Sequence, residues 1–99
     1  MIRRDGDRMM VSGPLTLAHV ATALSLGNAA IGEGVRKVDL GEVGELDSSA
    51  LALLLAWLRE AKRRGVDLAF SNLPQGLSTI ARLYGVADLL PASPGSAHH

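Results

Sequence analysis

The chain contains no cysteine. That excludes disulfides, thiolate metal sites and thiol catalysis. Aromatic residues are nearly missing as well: one Trp, one Tyr and one Phe, against 47% hydrophobic residues overall. The core must therefore be aliphatic, built from Leu, Val, Ile and Ala. No sign of charge dominates, because ten basic and ten acidic residues cancel. A neutral domain has no field to draw in nucleic acid or an anionic membrane surface. The longest apolar run, Ala50 to Leu58, is far short of a bilayer span, so no direct membrane insertion is expected. The opening MIRRDGDR has basic residues but no apolar segment behind them, and does not read as a signal peptide. There is no Walker A pattern, no G-x-G-x-x-G and no His/Asp/Glu cluster with metal spacing. What remains is one small cytoplasmic domain that works by contact. No cofactor, metal, catalytic residue or small-molecule substrate is expected.

The elements that are present alternate. Met1 to Asp7 is polar and reads as loose. Arg8 to Ser12 is a short strand stopped by Gly13-Pro14. Leu15 to Asn28 has helical spacing, with Leu17, Val20, Ala21 and Leu24 on one face and Thr16 as N-cap, ended by Gly27-Asn28 or by the later Gly32 and Gly34. Asn28 to Gly34 reads as a connection, and Val35 to Leu40 as a strand whose Val38 and Leu40 face inward. Gly41 to Asp47 is an acidic turn. Ser48 to Arg64 is a helix closed by Gly65, with cations crowding its last turns, where they suit the dipole. Val66 to Phe70 alternates as a strand. Gln75 to Tyr84 is a second amphipathic helix, capped by Gly85 with Val86 folding back. The order predicts an α/β domain over residues 1–91 with a mostly parallel sheet of about four strands and helices packed on it. A hairpin near the N-terminus would add an antiparallel edge. Residues 92–99 read as a tail, and His98–His99 as a purification-tag remnant set aside from site reasoning.

The chain is organised around Val38 to Leu58. Asp47, Ser48 and Ser49 fall at the mouth of a helix, where free backbone N–H groups and the dipole favour carboxylates, hydroxyls and phosphates. Asp47 or Ser48 can serve as N-cap, and either serine as a phosphorylation site. Glu42, Glu45 and Asp47 are better read as a solvated turn with a cap than as paired carboxylates. His19 is a surface or boundary residue of the first helix. On a wheel of ~100° per residue, Leu51, Leu54, Leu55, Leu58 and Ala61 form one stripe. Leu53 falls opposite, with Trp57 along its side and Ala52 and Ala56 smoothing the same face. The alternatives are an exposed patch that binds another protein or a face covered by some other element. The expectation favours the exposed patch, with Leu53, Trp57, Ala52 and Ala56 as its residues.

The stretch VDLGEVGELDSSALALLL resembles the central motif of STAS domains, a strand ending in a D-S/T-x-G/A-L turn that leads into a helix. The later LSTIARLYGVADLLP resembles one branch, the MlaB-type subunits of bacterial Mla phospholipid transporters. The resemblance runs from about Val35 to Pro91. It implies a non-enzymatic cytoplasmic regulatory domain that binds and supports the ATPase subunit of an ABC phospholipid transporter maintaining outer-membrane lipid asymmetry. The domain would be peripheral to the inner membrane through that partner. It further implies a role for the hydroxyl after the motif Asp, here Ser48. In the anti-sigma-factor antagonist branch the phosphorylated serine is the second after Asp, here Ser49, which makes a phospho-switched antagonist the alternative reading. Ala50 stands where these branches commonly have Gly.

Overall fold

A computed structural model describes residues 1–92. Of the expected tail, Ala92 makes a parallel bridge to Phe70, and positions 93–99, with His98 and His99, lie outside the described residues. The strands are β1 (Ile2–Asp5), β2 (Arg8–Leu15), β3 (Lys37–Leu46) and β4 (Ala69–Ser71), and the helices are α1 (Val20–Gly32), α2 (Ser48–Arg63) and α3 (Gln75–Leu83). A single 3-10 turn, Ala87–Leu89, follows α3. The sheet order is β1-β2-β3-β4, with β1 antiparallel to β2 and the other pairs parallel. The expected α/β class, the four-stranded sheet and the interior position of the Val38/Leu40 strand are all observed.

Both parallel connections step in the same direction across the sheet. Crossovers of the common hand therefore lay α1 and α2 side by side on one face. Met9, Val11, Val38, Leu40 and Phe70 are buried on that side, while Met10, Ser12, Asp39 and Ser71 alternate with them and are only half-buried. All three helices end in the same way. In α2, Gly65 takes a left-handed φ of 73°, its N–H donates to Lys62 O at 3.1 Å, and Val66 N–H donates to Ala61 O at 2.8 Å. Gly85 and Val86 repeat this on α3, and Gly34 and Val35 close α1.

Several boundaries differ from expectation. The opening segment is not loose: it is β1, the antiparallel edge that an N-terminal hairpin was expected to add, joined to β2 through Gly6 at φ 65° in a two-residue turn. Gly13-Pro14 does not stop β2, because the register of β2 on β3 shifts between Gly13 and Leu15 and the irregularity accommodates a residue with no N–H. Leu15 is thus a buried strand residue, and α1 starts five residues later, with His19 in place of Thr16 at its N-cap. The helix continues through Asn28 to Gly32. Its buried face is Ala23, Gly27, Ala30 and Ile31, while Leu17 and Ala21 are exposed. Gly41 to Leu46 is not a turn but the second half of β3, paired along Ser12–Leu15 of β2. Its glycines and glutamates hide a strand that is exposed along most of its length. β4 is also shorter and later than the alternating VDLAF suggests, because Val66 is spent on the α2 cap.

Candidate functional site

The end of β3 delivers Asp47 to the start of α2 in an extended conformation. Asp47 Oδ1 accepts from Ser49 N–H at 2.8 Å, which makes Asp47, not Ser48, the N-cap. Asp47 Oδ2 accepts from Leu17 N–H at 3.1 Å. One carboxylate therefore caps α2 and ties down the loop between β2 and α1. The hydrogen bond from Leu17 N–H, followed by that from Ser49 N–H, lowers the Asp47 pKa below the ordinary carboxylate value; partial desolvation opposes them with less effect. On the same loop, Thr16 Oγ1 and His19 Nδ1 are 3.0 Å apart, so His19 is engaged locally.

The two serines differ. Ser48, the first residue of α2, is exposed; Ser49 is half-buried and its backbone is held by Asp47. Four residues on, Ala52 is exposed on the same face as Ser48, and Ala56 is half-buried. Leu17 is tied by its backbone N–H to Asp47, the residue before Ser48, and keeps 74% of its surface in solvent. Sequence reasoning missed Leu17, having placed it on the inward face of a helix that in fact begins at Val20. The acidic residues of the expected turn do not act as a carboxylate pair. Glu42 faces Arg3 at 3.9 Å, Glu45 lies exposed on β3, and Asp47 is occupied by the cap.

The expected apolar patch is corrected. Leu53 is 3% exposed and Trp57 is fully buried. Trp57 packs on α1, so the face expected to be outermost is an internal seam. The close approach depends on Gly27: a Cβ there would lie 2.2 Å from the indole Nε1. The indole N–H donates to Leu24 O at 3.4 Å. The helix was expected, but its packing on α2 was not, because Gly27 reads as a helix end, whereas here it makes room for Trp57. Leu55 and Leu58, expected in the core stripe, are only half-buried. At the far end of α2, Glu60 accepts from Arg63 Nη2 at 2.7 Å and from Arg64 Nε at 2.5 Å, and these pairs lower its pKa. No described helix is long and apolar enough to cross a membrane.

A family model described as "Mlab, STAS domain" matches residues 2–91. The chain is 31% identical over 87 residues to the "Intermembrane phospholipid transport system binding protein MlaB" of Escherichia coli strain K12, covering 87% of this chain and 89% of that one; the protein of the same name from Shigella flexneri matches equally. Among solved structures, a chain of the Acinetobacter MlaFEDB complex in an ATP-bound conformation superposes with a TM-score of 0.79 at 23% identity, covering 94% of this chain and all of that one. The anti-sigma factor antagonist SpoIIAA in its unphosphorylated form gives a TM-score of 0.71 at 16% identity, covering 98% and 90%. At those identities the two superpositions speak to the fold.

Proposed function

This chain belongs to the STAS domain family of MlaB type, and on that premise we propose that it is a non-enzymatic subunit of an ABC phospholipid transporter, docking on the ATPase subunit. The observation that carries the reading is 31% identity to a phospholipid transport system protein along nearly the whole of both chains. The docking surface lies at the N-terminal end of α2. It comprises the exposed Ser48 hydroxyl, the smooth surface of Ala52 and Ala56, and Leu17 as the apolar anchor in place of Leu53 and Trp57. With its backbone already fixed on Asp47, Leu17 needs little further backbone ordering when a partner covers it. Asp47 positions this surface by fixing Leu17 beside Ser48. The kinship with a transport system binding protein supports recognition as the role of this surface. The protein sits at the inner membrane through its partner.

Phosphorylation belongs to the same proposal as regulation. A phosphate on the exposed Ser48 would meet the free N–H groups of α2 and would place nearly two negative charges in the contact. Ser49 is half-buried and less open to a kinase. The test is purification of the tagged chain from its native host, with bound proteins identified by mass spectrometry. Recovery of an ABC ATPase together with its permease supports the reading. Recovery of an anti-sigma factor kinase instead would move the protein to the antagonist branch.

A further inference from the structure

The second half of α2 carries a feature that docking at its first turn does not use. An open groove of about 920 Å³ runs between α2, β4 and the 3-10 turn. Its apolar lining includes Leu55, Leu58, Leu68 and Leu89. Leu89 is 58% exposed, and Leu55 and Leu58 are half-buried, so each keeps surface available to an occupant. Arg59 and Lys62 line the same groove. On α2 the sequence Leu55, Leu58, Arg59, Lys62 follows i, i+3, i+4, i+7 spacing, so the two leucines and two cations share one face. Arg59 and Lys62 are exposed, and among the described residues neither has a carboxylate within ion-pair distance, in contrast to Arg63 and Arg64, which hold Glu60. One carboxylate, Asp67, also lines the groove.

The geometry points to a docking groove for an acidic amphipathic helix of another protein. Its apolar face lies on Leu55, Leu58 and Leu89, and carboxylates along one flank meet Arg59 and Lys62. An added strand does not fit, because beyond β4 the Phe70 N–H already donates to Pro91 O at 2.8 Å. An acyl chain fits poorly, because a groove open along one side would leave much of its surface in water. A helix needs cover on one face only. Lys62 lies fourteen residues beyond Ser48. That is roughly 21 Å along α2, so both ends of the helix can be engaged at once and each can be disabled separately.

The test is an NMR titration of the isotope-labelled chain with three synthetic helical peptides of about 18 residues. They share one leucine face and differ in flanking residues, Glu, Gln or Lys. The Glu-flanked peptide should shift the Leu55, Leu58 and Leu89 signals and bind about tenfold tighter than the Lys-flanked one. The double variant Arg59→Glu/Lys62→Glu should reverse that order. If that variant fails to fold, Arg59→Gln/Lys62→Gln should abolish the Glu-over-Lys preference. Absence of binding, binding indifferent to the flanks, or shifts confined to the Ser48 end would overturn the proposal. Occupation of the groove by dodecyl phosphate while no peptide binds would overturn it too, making the groove an amphiphile site.

Discussion

Replacing Leu53 and Trp57 with glutamine should unfold the domain. Trp57 is completely buried against α1, and Leu53 is 3% exposed on the same side of α2. Truncating a buried Trp costs about 3–5 kcal/mol and a buried Leu about 2–5 kcal/mol. The two sites are neighbours on one helix face, so the sum of about 5–10 kcal/mol is approximate. The buried amides of the new glutamines add an unmet desolvation cost. A domain of this size is stable by about 5–15 kcal/mol in all. Most or all of the folded population should therefore disappear at 25 °C. Far-ultraviolet circular dichroism and urea titration check this: the double variant should lack a cooperative transition. A variant that keeps the wild-type spectrum and midpoint would show that the α1–α2 seam contributes little, and would restore Leu53 and Trp57 as candidate surface anchors.

Gly27→Ala should also destabilise, since overpacking against the indole costs about 1–3 kcal/mol and the gain in helix propensity returns only about 1 kcal/mol; a lower urea midpoint with altered Trp57 fluorescence is the expected result, and an unchanged midpoint would mean the indole moves freely aside. Asp47 has a lowered folded pKa, so its contribution is present above the ordinary carboxylate pKa and is lost as the pH falls through the folded value. Asp47→Asn should accordingly flatten the acid limb of a pH–stability curve below about pH 4, and an acid limb parallel to that of the wild type would contradict the assignment. Ser48→Ala should change stability by no more than about 0.5 kcal/mol, being an exposed residue that is not the cap; a larger loss in chemical denaturation would return the capping role to Ser48.

The parts of the fold legible in the sequence were those with strong periodicity and clear stops. The strand around Val38, helix α2 with its Gly65 closure, and α3 with Gly85 and Val86 all announce themselves in this way. Asp47 at the mouth of α2 was equally legible, because cap chemistry is local. What was hidden depended on tertiary context. Gly27 reads as a terminator unless Trp57 is known to lie against it. Gly13-Pro14 reads as a break unless β3 runs alongside with a register shift. Gly41 to Leu46 reads as a turn because an exposed strand rich in Gly and Glu carries no apolar alternation. The covering helix itself was legible, but not that its Gly27 packs on Trp57, and so a buried seam looked like a surface. Leu17 was lost by the same error in reverse. Its exposure follows only once α1 is seen to begin at Val20.

Docking through the first turn of α2 is tested most directly by isothermal titration of the purified chain with the ABC ATPase of the same organism. Wild-type protein should bind, and Leu17→Asp, which alters a side chain already in solvent, should weaken binding by at least about tenfold, or ~1.4 kcal/mol, without changing the urea midpoint. Equal affinity of wild type and Leu17→Asp, or no binding by the wild type, would contradict it.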